Sequence, residues 1–399
     1  MVPQPEWVLA ACAGAFAPLT PQSPPRTQLF SGSDPRLVSE RLLLFFESGD
    51  NLKRHLTDCA GFTASATQLR EISSCLRQGR QLLRIARNAE MMSLPLVAYY
   101  AMASLAKALL LSFGDPKHLA NLRPSHGLKV PGDMSGDLQD LKVQVEGENT
   151  LFQRFARTLL EASGFPVRLR NPAAPVWLSY PSVQTINFLS LSATLKELLS
   201  RVIGIEDIFL QTFQERPKVV QASYSAACWE GRLLQVSLSL QGEGLDETDY
   251  LLGLNPVLRR WRRREQGGTQ VVLENLPPDL EPRPTTQDAQ AAHLIPFHQM
   301  AVPLARKPDG SFALIGSLGE QSLPEAVIMY MAAFLLSSVS RYRQDIWATL
   351  DAPAAPGARL NAVLTAFYDE ILVRFPLQIV AALARAPVAV WDGRLVMIT

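Results

Sequence analysis

The groups best placed to do chemistry in this chain are one lysine, one histidine and one run of arginines. Lys107 stands inside the apolar run Leu94 to Phe113. A buried ammonium without a partner is expensive, so it must reach solvent, find a carboxylate or hold a ligand anion. Tyr100, Ser104 and Lys107 follow at steps of four and three, which puts them on one line of a helix. Tyr99 points about a hundred degrees away from that line. The line is a candidate ligand-binding surface; its structural counterpart is a polar seam between two packed helices. His126 comes next, ahead of Gly127 and Leu128 at the end of a short polar loop. An imidazole there can move a proton or hold an anion, and the glycine beside it permits close approach to the backbone. Equally, His126 can pack the start of the next element while Gly127 makes the turn, since no acid, base or metal ligand stands near it in sequence.

Arg259, Arg260, Trp261, Arg262, Arg263 and Arg264 set five arginines around one tryptophan. Such a patch can hold phosphates while its ring stacks on a base. The competing expectation is a helix C-terminus just before Glu265, where the dipole favours cations. Arg341, Tyr342 and Trp347 follow an apolar helix, and Arg341 is expected to hold a carboxylate or a helix end. No GxGxxG, P-loop, HExxH or GxSxG motif is present. His293 and His298 lack nearby cysteines or paired acids, so no metal site and no cofactor are expected. Cys228 has no histidine close in sequence, which speaks against a thiol nucleophile.

These groups need a scaffold, and the composition supplies one. The chain has 399 residues, enough for two or three packed units, with 47% apolar and 19% charged residues. Its 38 basic and 37 acidic residues leave a net charge of +1, so any pull on nucleic acid or anionic lipid must be local. Four scattered cysteines, Cys12, Cys59, Cys75 and Cys228, fit buried thiols in a reducing compartment. No Lys or Arg precedes the apolar run Val8 to Ala17, which argues against a secretory signal. Leu94 to Phe113 approaches membrane-spanning length, but Lys107 inside it and non-basic flanks favour a buried central helix.

Leu69, Ile72, Leu76, Gly79, Leu83 and Ala86 step by three and four, drawing one apolar stripe on a helix. Arg70, Arg77, Arg80, Arg84 and Arg87 lie opposite, as on a solvated face. Pro95 suits the first turn of the helix that follows. Further helices are predicted over Ser39 to Leu56, Leu151 to Ala162, Thr185 to Ile203, Pro324 to Leu350 and Leu360 to Arg385, the last kinked or broken at Pro376. Between them, Val219 to Tyr224 and Leu233 to Leu240 flank the turn Trp229 to Arg232 and predict a hairpin. Thr269 to Glu274 predicts a further strand. Met300 to Leu304 and Ser311 to Ile315, joined through Lys307 to Gly310, predict a second hairpin.

The ordered motifs Gln78-Gly79, Tyr99-Tyr100, Lys107-Ala108, His126-Gly127-Leu128, Ser340-Arg341-Tyr342 with Trp347, and Phe375-Pro376 resemble the YaaC-like family of bacterial proteins. The likeness runs from about residue 40 to 390 and implies an architecture more than an activity. Leu69 to Leu128 also resembles the HEPN helical domain, a small bundle that commonly dimerises and serves some members as a metal-independent ribonuclease. Catalytic members set an arginine ahead of a histidine with about four to six residues between them, the imidazole moving a proton and the guanidinium stabilising phosphate charge. Ahead of His126 those places hold Asn121, Ala120 and Leu119, and the nearest arginine is Arg123. Asn121 can orient an imidazole but supplies no positive charge.

The sequence thus reads as a mainly α (α+β) protein, a helical bundle core with a small inserted antiparallel β module. Its expected parts are a proline-rich arm over 1–35, a helical domain with the HEPN-like segment over 36–215, a β module over 216–320 and a C-terminal helical unit over 321–399. The expected function is a cytoplasmic, non-catalytic binding or scaffold protein that forms homodimers through helical faces and does not enter a membrane. Its expected ligand is an RNA or nucleotide phosphate, held by Tyr100, Ser104, Lys107, His126 and the arginine run. The alternative is a HEPN-type ribonuclease in stress response or phage defence, with His126 and Asn121 as its catalytic candidates.

Overall fold

The computed structural model describes residues 28–397 apart from several short stretches, the longer ones being 170–174, 180–186, 246–249, 280–284, 287–303 and 351–357. Its first helices are α1 (Pro35–Glu47), α2 (Gly49–Ala60), α3 (Ala66–Ala86) and α4 (Leu94–Phe113). Then come α5 (Leu151–Ala162), α6 (Leu195–Leu199), α7 (Glu206–Phe213), α8 (Glu325–Tyr342), α9 (Gln344–Ala348) and α10 (Ala358–Ala384).

α3 begins where its sequence says it should. The Ser65 hydroxyl accepts from the Gln68 amide at 3.1 Å, satisfying a donor that every helix start leaves open. The apolar stripe is buried from Ile72 to Ala86 and lies on α4. Gly79 sets the closeness of that contact, because a Cβ there would stand 2.6 Å from Leu105 Cδ2. α4 is apolar around its whole circumference, as is α8, and such helices have no face to give to water. Both therefore sit at the centre, with α4 packed by α3, α5, α8 and α10. α4 is the one described helix long and apolar enough to cross a membrane, and 78% of its apolar window is buried within the protein.

Several elements depart from the sequence expectation. Ser48 divides the helix expected over Ser39 to Leu56 into α1 and α2, and Phe45 near the break is 49% exposed. The arginine face of α3 is not simply solvated. Arg80 binds both carboxylate oxygens of Glu47 on α1, and Arg84 and Arg87 reach Glu40 at 3.5 and 3.4 Å. α10 stays one helix across Pro376. Most of the helix expected over Thr185 to Ile203 is replaced by a 3-10 turn, a strand and the short α6, which Thr194 and Glu197 start with a reciprocal capping box.

The described strands are β1 (Gln28–Ser31), β2 (Leu128–Lys129), β3 (Lys142–Val145), β4 (Gly164–Leu169), β5 (Pro175–Ser179), β6 (Ser192–Thr194) and β7 (Val219–Trp229). They continue with β8 (Arg232–Gln241), β9 (Arg262–Glu265), β10 (Gln270–Glu274), β11 (Leu304–Arg306), β12 (Phe312–Ile315), β13 (Val388–Trp391) and β14 (Leu395–Met397). β7 and β8 form the first expected hairpin, closing at Trp229 opposite Arg232. β11 and β12 pair antiparallel with Ala305 opposite Ala313, although 300–303 and 308–310 of the second hairpin fall outside the described residues. The larger sheet runs β11-β12-β7-β8-β10-β9, and β4, carrying β5, joins β7 in parallel. β2, β3 and β6 make a small antiparallel sheet against the helical core, unforeseen in the sequence. The fold is mainly α with added β structure.

The two long buried helices are tied to their neighbours by one ionic knot. Glu325, at the first turn of α8 and 1% exposed, accepts from Arg374 Nη2 at 2.6 Å, Gln378 Nε2 at 2.6 Å and the Ile203 amide at 2.9 Å. Gln378 in turn accepts from the Ala326 amide at 3.1 Å. Burial of two charges is tolerated here because each is paired and hydrogen-bonded.

Candidate functional site

The small sheet fixes His126. Its carbonyl accepts from the Phe152 amide at 3.2 Å, joining it to α5, and β2 follows within two residues. Gly127 turns the chain at φ +79°, a conformation that costs a side chain dearly. A Cβ on Gly127 would lie 2.0 Å from Thr150 Oγ1. The space beside this glycine is thus filled by Thr150, and the residue serves the turn and not ligand approach.

The His126 ring meets the core at Tyr99. The Tyr99 hydroxyl and His126 Nδ1 are 2.7 Å apart, and the Tyr99 and Tyr330 hydroxyls are 3.4 Å apart. Phe334 packs edge-on to Tyr99, with ring centres 5.5 Å apart, and Phe152, Phe155 and Phe375 surround Tyr330. Both tyrosines are buried, and burial pushes each phenol well above its ordinary pKa. Both stay protonated. Burial also lowers His126, and the charges of Lys107 and Arg341 lower it further. The imidazole is therefore held neutral.

A neutral imidazole and two phenols leave one proton order favoured. A phenol O–H is a strong donor and a phenol oxygen a poor acceptor, so the short contact has Tyr99 donating to Nδ1. Tyr330 then donates to the Tyr99 oxygen across the longer one. This assigns the remaining imidazole proton to Nε2, where it can be donated to an anion. Lys107 and Arg341 are partly exposed, and neither forms an ion pair among the described residues. Arg341 Nε donates to the Ser337 carbonyl at 3.1 Å, and the guanidinium lies 5.0 Å from the Tyr342 ring centre. A neutral imidazole N–H whose pKa feels two cations without ion-pair partners among the described residues suits an oxyanion better than a cation or metal.

Tyr99, Lys107, His126 and Arg341 all belong to the ordered motifs that span the chain. A family model described as YaaC-like Protein matches residues 44–383. The chain belongs to the YaaC-like family. No curated protein and no solved structure matches it. Within this YaaC-like chain the motifs set far apart in sequence converge, since α4, the loop before β2 and the end of α8 meet at one place.

The other expected site residues distribute differently. Tyr100 is 40% exposed and lies beside the Tyr99 ring, whereas Ser104 is buried and donates to Gln78 Oε1 at 3.1 Å and to the Tyr100 carbonyl at 2.8 Å. Ser104 is thus part of the seam between α3 and α4. Asn121 is exposed on a 3-10 turn, and no hydrogen bond joins it to His126 among the described contacts. Of the remaining histidines, His55 bonds the Leu383 carbonyl at 2.8 Å and His118 lies 3.3 Å from Glu71; His293 and His298 fall outside the described residues. Cys75 is buried, which raises its thiol to about 11.

The arginine run does not end a helix. Arg259 and Arg260 close a short 3-10 turn, and Arg262, Arg263 and Arg264 form the edge strand β9 against β10. Charged residues on such an edge discourage pairing with another chain. Trp261 is 3% exposed, so its ring is not available to stack on a base. Arg259, Arg260 and Arg264 are exposed, and Arg264 reaches Glu274 at 3.7 Å.

Sequence reasoning passed over Tyr99, Tyr330 and the electrostatic role of Arg341. One signal was available. Tyr330 is the single polar side chain in the run Ala326 to Leu336, and a buried hydroxyl in an apolar helix needs a partner.

Proposed function

We propose that this YaaC-like protein is a cytoplasmic, non-catalytic binding or scaffold protein whose Tyr99–His126 site takes the phosphate of a nucleotide or RNA. The observation that carries this is the pair Lys107 and Arg341, neither ion-paired among the described residues, acting on a neutral histidine. A phosphate placed among them accepts from Nε2 of His126 and offsets both cations. Homodimerisation through helical faces belongs to the same reading, with the exposed Leu37, Leu44 and Phe45 of α1 as the apolar surface that supports it.

One observation favours a second reading, a HEPN-type metal-independent ribonuclease in stress response or phage defence. Arg341 supplies, from a distant helix, the guanidinium that the residues before His126 lack. Catalysis of that kind needs an imidazole lone pair for the ribose hydroxyl, whereas the proton order above leaves an N–H on Nε2.

Labelled RNA and labelled nucleotide, incubated with the full chain in chelator, separate the two. Binding without cleavage, weakened by Arg341→Gln and by rising salt, supports the binding protein. Cleavage that disappears in His126→Ala overturns it in favour of the nuclease. No binding of either probe refutes both.

A further inference from the structure

Side chains directly opposite one another on paired strands share a face, so the register of β9, β10, β8 and β7 sorts the larger sheet into two sides. One side sets Ala222, Leu240 and Val271 in a row, with Leu238 beside Leu273 in the next, and all five are buried. The other side is polar. Gln270, Gln241 and Gln221 stand opposite one another as a row of amides across three strands. The next row runs Arg264, Val272, Ser239 and Ser223, and the one after it opens with Arg262, Glu274 and Ser237. Gln221, Ser223, Gln241 and Arg264 are exposed.

The charge on this side is of one sign. Arg259 and Arg260 are exposed on the 3-10 turn that leads into β9, and neither forms an ion pair among the described residues. With Arg262 and Arg264 they set four arginines against one acid in these rows, Glu274, which is 4% exposed and lies 3.7 Å from Arg264. A surface that need only be soluble intersperses both signs. The whole chain is nearly neutral at +1, so this excess is local.

Spacing and side-chain type narrow the partner. Arg262 and Arg264 are two residues apart on a strand, about 6.6–6.8 Å, close to the step between consecutive phosphates along a nucleic-acid backbone. The four strands together span about 14 Å. Serine and glutamine hydrogen-bond phosphate and sugar oxygens, and both also accept from a hydroxyl. No aromatic ring stands in the rows named, and Trp261 is 3% exposed, so splayed bases find no stacking platform. A duplex keeps its bases stacked and presents its backbone, and an RNA duplex adds 2′-hydroxyls for the serines and amides.

We infer that this polar sheet face, with Arg259 and Arg260 at its margin, is a contact surface for the backbone of double-stranded RNA. The arginines hold consecutive phosphates, while the serines and glutamines hydrogen-bond the sugar hydroxyls between them. The face shares no residue with the Tyr99–His126 site and its assignment does not rest on that reading.

The test is fluorescence anisotropy of a labelled RNA duplex of about 16 base pairs, titrated with the full chain over a range of salt. Saturable binding is expected, tighter than for either single strand or for a DNA duplex of the same sequence. Gln241→Glu, an exchange of equal size at an exposed position, weakens it at least tenfold and leaves the thermal midpoint unchanged. Arg264→Gln lowers the salt slope by about one. Arg84→Gln, which removes an exposed arginine from α3, leaves duplex binding unchanged, as does His126→Ala. Absence of duplex binding, equal or tighter binding of single strands or of DNA, full affinity in Gln241→Glu, or loss of binding in Arg84→Gln or His126→Ala would each overturn the inference.

Discussion

Tyr99→Phe tests the proton order on which the candidate site depends. The substitution keeps the ring packing against Phe334 and removes one oxygen. With Tyr330 donating to Tyr99 and Tyr99 donating to His126, that oxygen serves in two hydrogen bonds, at 3.4 and 2.7 Å. Its loss removes about 1 kcal/mol of net bonding for the shorter contact. It also strands the fully buried Tyr330 hydroxyl, at about 1–3 kcal/mol. The total is about 2–4 kcal/mol. Tyr330→Phe removes only a donor across the long contact and leaves Tyr99 donating to Nδ1, so its cost stays below about 1 kcal/mol. Urea denaturation of both single variants and of the double variant reads these differences as midpoint shifts at constant slope. The double variant recovers part of the Tyr99→Phe loss, because no hydroxyl is then stranded. If the chain of protons runs the other way, Tyr330→Phe strands the Tyr99 hydroxyl and its cost rises to about 1–3 kcal/mol. A Tyr330→Phe loss above about 1 kcal/mol refutes the assignment of the remaining imidazole proton to His126 Nε2.

Two further outcomes follow from groups whose surroundings are as well defined. Arg374→Met leaves the Glu325 carboxylate buried with only Gln378 and the Ile203 amide as donors, at a cost of about 3–5 kcal/mol, and Glu325→Gln in the same chain restores most of it. Denaturation midpoints check this, and a loss under about 1 kcal/mol contradicts the buried pair as described. The pH dependence of stability carries the sign of His126. Its folded pKa is depressed, so its contribution is present above the unfolded value of about 6.5 and is lost as pH falls through the folded value. Wild-type stability therefore declines more steeply below about pH 6.5 than that of His126→Gln, and parallel curves would contradict it.

The parts of this molecule written in local spacing were readable from the chain. α3 announces itself by its three-and-four stripe, and β7 and β8 by alternation around Trp229 to Arg232. The site was less legible because its information is not local. α4 is apolar on every side, so periodicity gives no sign of which of Tyr99 and Tyr100 points inward; the neighbours α8 and α5 decide it. His126 and Arg341 are far apart in sequence, and only packing shows that they share an electrostatic environment. β2 and β3 are too short for an alternating pattern, although they hold the loop that carries His126. The arginine run misled for a different reason. Arginine is favourable at a helix end, but here tertiary pairing with β10 makes the segment an edge strand, and burial of Trp261 follows from that.

The central claim is that burial and the charges of Lys107 and Arg341 keep His126 neutral. Its most direct test is the imidazole titration of His126, followed by nuclear magnetic resonance in the full chain, in Lys107→Met and Arg341→Met, and with a nucleotide added. The expected midpoint lies below the ordinary value of about 6.5, rises when either cation is removed, and rises again when a bound phosphate offsets both. A midpoint at the ordinary value, unmoved by either substitution and by the nucleotide, would contradict the account.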